Sequence, residues 1–562
     1  MNKHMKKAFT ITELVIVIAV IAILAAVLIP TFANVLNKAN VSNDTAMARH
    51  MNEFLVMGST TSKPQWASEA AEILAEEGID LGKFTPSTEG YRYAWHKPSN
   101  QVLLLDENLK VLYPEIEADP ADIFLMVNKT DDMVDGYALM IADGDITVDE
   151  SNLTLDVAHE TLAVTIATEQ TATFTVHTNG GALTIDAVKA DVHRYGEAGS
   201  VTVQAGNSYH EYGKTTALSV KQCHVELEST AVVDMFTVLS GGTTTVTKNE
   251  SAEVKVAVAD EGSDLSGLDG ITVKKKTEVS TVEEFKAALA NSEDEVIYLK
   301  KNIYAVEELT INRSVALIGE QGAVIEQNSS AQDFIKVTDK SAACEFSMIG
   351  LTVQNASTDN NNETAISIGL PGALFAGNAY ISNCTFSGFT KNGIEANGGN
   401  VAIENNNIYN GTFENQAGNA IQIDNGAIAV INNNYIYGYV EQSQNWTATG
   451  IIVFYGSSIN EIKGNTIVSC THAIELSTYY DDKGLNTFLA SHAETENKFT
   501  DCVEDVYRTA KYWSDAEMEE LKKNPTLDEI YDGNSDGYYG YPSHGWVKEN
   551  GSWVEYDLAS GN

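Results

Sequence analysis

Glu13 is the first side chain of this sequence that calls for a partner. It stands at the mouth of an unbroken apolar run, Leu14 to Ile29, and a charge held within hydrocarbon costs on the order of 3 kcal/mol unless another charge meets it. A second group is a series of histidines. His177, His193, His210 and His224 recur at spacings of 16, 17 and 14, with "VHRYG" and "YHEYG" nearly copies of one another. Imidazoles brought into register by a repeat can ligate a metal. No acid or cysteine joins them at fixed spacing, so a ladder of stacked like side chains is the favoured reading. A third group, Asp532, Asn534, Asp536 and Gly537, matches the opening of an oxygen-rich calcium loop, D-x-N-x-D-G. Ser543 stands where the closing Glu belongs, so an Asx-rich turn is the better expectation. Calcium is the one cofactor left open.

The totals limit what these groups can serve. A chain of 562 residues exceeds one core, so several domains are expected. With 35 basic and 78 acidic side chains the formal charge is −43, which argues against nucleic acid as a partner. Lys3, Lys6 and Lys7 form the one basic tip, and a basic tip before an apolar run stays on the cytoplasmic side. Cys223, Cys344, Cys384, Cys470 and Cys502 are few and odd in number, without a CxxC metal pattern.

The string K7-A8-F9-T10-I11-T12-E13-L14, followed by the apolar run and Pro30, resembles the N terminus of type IV prepilins and type II secretion pseudopilins. The resemblance implies cleavage between Ala8 and Phe9 by a prepilin peptidase and N-methylation of Phe9. It makes Glu13 the acid that pairs with the free amine of a neighbouring pilin or pseudopilin subunit, and Pro30 the helix-kinking proline. Ala8 departs from the family, which has Gly there. The resemblance also implies a lipid bilayer as partner and a single-pass inner (cytoplasmic) membrane protein, N terminus inside and bulk outside, at the cell surface when assembled. A secretory signal and a plain anchor are the alternatives.

The backbone that would carry these groups can be read along the chain. Apolar residues at Phe32, Val35, Leu36, Val41, Met47, Met51, Phe54 and Leu55 continue a helical period to about Gly58. "PQWASEAAEILAEEG" predicts a second helix stopped by Gly78, and "YRYAWHK", "QVLLLDEN" and "KVLYP" predict three short strands. Residues 144 to 276 are Thr/Val-rich and Gly-punctuated, as a β-solenoid would be. Next, "STVEEFKAALAN" predicts a helix capped at Ser280 or Thr281 with Phe285, Ala288 and Leu289 on one face. From there "TAISIG", "NGIEAN", "NAIQID", "TGIIVF" and "HAIELS" step by 28, 27, 30 and 23 residues, interleaved with "NCTFSGF", "NNNIYNG", "NNNYIYG" and "GNTIVSC". Stacked coils of this kind fill a continuous interior with Ile, Val and Phe and let corner asparagines bond one above another. The stretch resembles right-handed parallel β-helix proteins of the pectate-lyase type. "GWVKENGSWVEYD" predicts a closing hairpin turning at Asn550-Gly551.

The expected fold class is therefore mixed. A long N-terminal membrane α-helix and a small α+β pilin-like head precede two all-β domains, a β-solenoid and then a right-handed parallel β-helix. The boundaries are a leader at 1–8, the helix at 9–62 with its membrane part about 9–33, the head at 63–142, the solenoid at 143–276, the β-helix at 277–512 and a C-terminal helix and hairpin at 513–562. Lyases on this scaffold resemble one another in pairing a calcium-binding acid cluster with an Arg or Lys base, and hydrolases in pairing carboxylates. Between Arg313 and Arg508 there is no arginine, and Asp481-Asp482 and His472 read as turn and packing residues. The expectation is a non-enzymatic, pilin-like minor or tip subunit displaying the β-helix for adhesion or carbohydrate contact through Tyr435, Tyr437, Tyr439, Trp446, Phe454, Tyr455, Tyr479 or Tyr480, half of which must point inward. An anchored polysaccharide lyase or hydrolase, and a merely tethered surface protein, are the competing expectations.

Overall fold

The computed structural model describes residues 11–59, 63–79, 85–127, 137–141, 146–148, 153–157, 161–329, 331–356, 363–410, 418–440, 448–453, 457–477, 496–509, 544–549 and 552–557. The chain divides into two compact units, residues 1–272 and 273–562.

The first unit opens with α1 (Ile11–Gly58), which runs unbroken through Pro30. Its C-terminal half is a packing helix. Ala48, Met51 and Leu55 are buried against Trp95 and Leu104 and against Ala70 and Leu74 of α2 (Ala67–Glu76). Two polar side chains tie the helix to the chain beyond α2. Asp44 accepts hydrogen bonds from the Ser87 and Thr88 amides and the Thr88 hydroxyl at 2.7–3.0 Å, and Asn52 pairs with both backbone groups of Val102. Beneath lie β1 (Arg92–His96), β2 (Gln101–Leu105) and β3 (Val111–Tyr113), an antiparallel trio where the alternating apolar residues predict it.

The trio does not form a separate sheet. β4 (Ile123–Val127) pairs antiparallel with β1 and parallel with β5 (Ala138–Ile141), and from β5 every further pairing is parallel. The line continues through Thr154–Val157, Ala172–Glu211, Lys214–Val220, Val232–Val238 and Glu253–Ala259. Ala172–Glu211 is long enough to serve a second face too, where Cys223–Leu227 and Thr244–Lys248 stack. Glu197 lies beside Lys214 and Lys214 beside Val232, so a coil here takes 17 or 18 residues.

Two expectations are corrected. The fold is mostly β, its strands mainly parallel, with the head's strands forming the edge of a 14-stranded sheet rather than an independent α+β layer. The expected membrane helix is also not upheld, because among the described residues no helix is long and apolar enough to cross a membrane. Farther along, Asn37, Lys38, Asn40, Asn43 and Asp44 make the helix polar. The single-pass inner-membrane placement falls with it.

The second unit is a right-handed parallel β-helix. Its first coil is covered by α3 (Val282–Ala290), where Thr281 caps the Glu284 amide, Glu284 reaches back to the Thr281 amide, and Phe285 and Ala288 are buried. Three faces stack behind it. Leu317, Met348, Ile381, Ile403, Ile431 and Ile462 make one inward column. Val353, Phe386, Ile408, Ile436 and Ile467 make the second. Ile366, Ile394, Ile421, Ile451 and Ile474 make the third, stepping as the sequence repeat steps.

At one corner Asn406, Asn434, Asn465 and Asn497 form a buried ladder. Each Nδ2 in the series 406, 434, 465 donates to the next Oδ1 at 2.8–3.0 Å. The Oδ1 atoms also accept the backbone amides of Cys384, Asn406, Asn434 and Asn465. The residues just before, Asn383, Asn405, Asn433 and Gly464, have φ between 54° and 66°, a left-handed turn that asparagine and glycine tolerate. All five cysteines are free, Cys384 and Cys470 buried in the stack. At the far end His544–Glu549 and Ser552–Asp557 pair as the expected antiparallel hairpin.

Candidate functional site

The corner ladder sets which side chains of the second face reach water. Strand alternation places the residues one and three after each ladder position outward, and the residue between them inward. Applied to Cys384, Asn406, Asn434 and Asn465, this puts Thr385 and Ser387, Asn407 and Tyr409, Tyr435 and Tyr437, and Thr466 and Val468 on one outer surface, and none of these eight is buried. Tyr409 and Tyr437 pair directly across adjacent strands and are 36% and 46% exposed. The Tyr435 ring lies 5.9 Å from that of Tyr409, tilted by 52°. Three phenols thus share one patch, flanked by Asn407, Thr385 and Thr466. Single exposed aromatics need no explanation, but a contiguous group of them marks a contact surface.

Of the aromatic residues singled out in the sequence, Tyr435 and Tyr437 belong to this patch, and Tyr439 points inward and is fully buried. Trp446, Phe454, Tyr455, Tyr479 and Tyr480 lie outside the described residues, as do Asp481, Asp482, Asp532, Asn534, Asp536, Ala8 and Phe9. Glu13 and Pro30 lie within α1. Tyr409 is new, and its signal was its place three residues after a ladder asparagine in "NNNIYNG".

The third face carries a buried polar row. Ser367, Glu395 and the half-buried Gln422 occupy one register position on strands Thr364–Ile368, Asn392–Glu404 and Asn419–Asp424, and Ile452 separates them from Glu475 at the same position on His472–Ser477. Glu395 accepts from Asn392 at 2.8 Å and Asn397 at 3.0 Å, with Lys391 Nζ at 3.5 Å. Asp424 accepts from the Asn425 amide at 2.6 Å and Gln422 Nε2 at 3.3 Å. Burial pushes the Asp424 carboxyl up to about 6, those hydrogen bonds opposing it and Glu395 adding to it. Glu475 accepts from Thr449 at 3.0 Å and lies 3.4 Å from His472 Nδ1, so His472 packs in this network. Two carboxyls in unlike surroundings, about 8 Å apart at Cα by strand geometry, are an acid–base arrangement in outline.

In the first unit the near-copies "VHRYG" and "YHEYG" stack. His193 lies on His210 with ring centroids 4.3 Å apart, and Tyr195 on Tyr212 at 4.5 Å. Between them, facing inward, Arg194 and Glu211 form a fully buried ion pair. Glu211 also accepts from Tyr209 and Thr215 at 2.7 Å and the Gly213 amide at 2.8 Å. Gly213 is required by this approach, since a Cβ there would run into the Gly196 carbonyl and the Arg194 guanidinium. Burial, with the neighbouring His210, holds His193 below the usual histidine range. His177 is not part of the stack, since it packs on Trp66 at 4.4 Å and contacts Ser68 and Asp156.

No curated protein and no solved structure matched the chain. A family model described as a right handed beta helix region matches residues 371–505, the coils that carry the tyrosine patch and the Glu395–Asp424 row.

Proposed function

We propose that this chain is a pilin-like subunit that displays a right-handed β-helix for contact with a carbohydrate ligand. The observation that carries the ligand reading is the Tyr409–Tyr435–Tyr437 patch. Phenol rings offer flat apolar faces to the C–H side of a sugar ring, while Asn407, Thr385 and Thr466 supply the polar groups that hydroxyls require. The subunit reading is supported by α1, whose C-terminal half packs on the antiparallel edge strands of the first unit's sheet, and by the Ala8–Phe9–Glu13 string. In it, a prepilin peptidase cuts before Phe9, and Glu13 meets the new amine of the next subunit.

Glycan-array binding of the full chain tests the ligand reading. The expected result is binding to a neutral or acidic polysaccharide that drops at least tenfold in a Tyr409→Ala, Tyr437→Ala double variant; equal binding by the variant, or none by either protein, refutes it. Mass spectrometry of the mature N terminus tests the subunit reading, which requires Phe9 first.

A second reading, polysaccharide hydrolysis, is favoured by one observation, the Glu395–Asp424 pair with its raised Asp424 carboxyl. It predicts turnover of a glycan lost in Glu395→Gln, with the tyrosine variant affecting KM before kcat.

A further inference from the structure

The histidine stack of the first unit ends at two carboxylates. "HVELE" runs along strand Cys223–Leu227 and one residue beyond, and alternation sets His224, Glu226 and Glu228 on one outer face. The adjacent strand places His210 directly beside Glu226 in the register. His210 Nδ1 lies 3.4 Å from Glu226 Oε2 and 3.3 Å from Glu228 Oε1. One ligand atom from each of the three residues falls within 4.8 Å of the other two. The side chains are 16%, 39% and 29% exposed, so the group is reachable from water.

A second observation fixes which way the imidazole faces. His210 Nε2 lies 3.2 Å from Ser208 Oγ. The Ser208 hydroxyl spends its only proton on Asp191 Oδ1, at 2.7 Å. Asp191 is a committed acceptor, also taking a hydrogen bond from Asn207 at 2.6 Å. Ser208 therefore has only lone pairs left for His210, and Nε2 must be the protonated nitrogen. In the neutral ring Nδ1 then presents a lone pair to two carboxylate oxygens, so three acceptors converge. A cation completes that arrangement, and the relay behind Nε2 is the outer-shell support that metal-bound histidines have.

The spacing agrees. Two donors each about 2.0–2.2 Å from a tetrahedral ion lie roughly 3.3–3.5 Å apart, the separation His210 Nδ1 keeps from both carboxylates. His224 orients the set from outside, with Nε2 3.4 Å from the other Glu226 oxygen and Nδ1 2.8 Å from Thr245 Oγ1.

We propose that His210, Glu226 and Glu228 bind a divalent cation of the Zn2+ class, water completing its coordination. Titrating Zn2+ into the chelator-treated full chain by calorimetry tests this. The expected result is a site that weakens at least tenfold in Glu228→Gln and in His210→Ala, and by about tenfold in Ser208→Ala, which removes only the relay. Far-UV circular dichroism checks that each variant is folded, and the isosteric Glu228→Gln decides the matter if His210→Ala is not. Co2+ in place of Zn2+ should give the visible absorption of a low-coordinate ion, absent in Glu228→Gln. Zn2+ binding that is undetectable, or equal in wild type and Glu228→Gln, overturns the proposal and leaves a proton on His210 Nδ1 as the occupant.

Discussion

The two units solve the same problem, a polar side chain repeated from coil to coil, in opposite ways. In the β-helix the repeated group is an amide, donor at one atom and acceptor at another, so Asn406, Asn434 and Asn465 each give to the next residue, and Asn434 and Asn465 receive from the one before. Identical copies satisfy one another indefinitely. In the first unit the repeated groups are charged or aromatic. Two arginines or two glutamates at the inward position of "HRYG" and "HEYG" would repel in a dry interior, and the chain answers by alternating them, Arg194 on Glu211. Imidazoles stack, yet the last of them, His210, faces acids instead of another ring. A self-complementary ladder needs no partner from outside, whereas the imidazole column ends with His210 facing Glu226 and Glu228.

The largest expected effect breaks the alternating ladder. Arg194→Met leaves Glu211 buried with its remaining donors but no opposite charge, and removing one member of such a pair costs about 3–5 kcal/mol. The measurement is the chemical-denaturation midpoint of the first unit's transition. Arg194→Met with Glu211→Leu should recover most of the loss, since the desolvation of both charges disappears together. A double variant no better than the single would show that the loss lies in the donors around the pair, Tyr209, Thr215 and the Gly213 amide, rather than in the uncompensated charge.

A smaller loss is expected from the self-complementary ladder. Asn434→Leu strands the buried Asn406 amide as a donor and takes the Asn434 Nδ2 bond from the Ile403 carbonyl, while Asn406 Nδ2 and Asn465 Oδ1 each lose one of two bonds. Unsatisfied buried groups cost about 1–3 kcal/mol each, partly offset by the added leucine burial, for a net loss of about 2–3 kcal/mol. Hydrogen exchange at the Asn406 amide should accelerate before the rest of the coil. A neutral substitution would mean that the isoleucine columns alone hold the register.

This contrast explains what could be read from the sequence. The β-helix repeat was visible because identical residues recur: the asparagines announce corners, and the isoleucines of "NGIEAN", "NAIQID" and "HAIELS" announce one interior column. The tyrosine patch follows from counting one and three residues past each corner, and Tyr409 went unmarked only for want of that count. The Arg194–Glu211 pair was hidden because its repeat is complementary instead of identical. Glu226 and Glu228 were hidden because they join His210 across strands, sixteen and eighteen residues downstream. The head's strands looked like a domain of their own because local alternation carries no information on what β4 pairs with beyond β1. Glu395 and Asp424 sat in the quoted repeats, but only burial distinguishes them from solvated turn acids.

The third face of the β-helix lies between the two extremes, with Glu395 and Gln422 alternating as acid and amide while Asp424 adds a second acid. Its carboxyl rises from 3.8 to about 6 because burial penalises the ionised form. The folded state therefore holds that proton more tightly than the unfolded chain does. The stabilisation this represents is complete below about pH 4 and is lost as pH rises through about 6. A rise of that size corresponds to about 3 kcal/mol, and solvent screening at the rim of the network reduces this to about 1 kcal/mol. Asp424→Asn removes the titration and keeps the shape. The melting temperature of the variant relative to wild type should climb between pH 4 and pH 6.5 and stay level above it. A difference flat across that range would place Asp424 in water-like surroundings, and with it would go the unlike-carboxyl pairing on which the hydrolytic reading of this face depends.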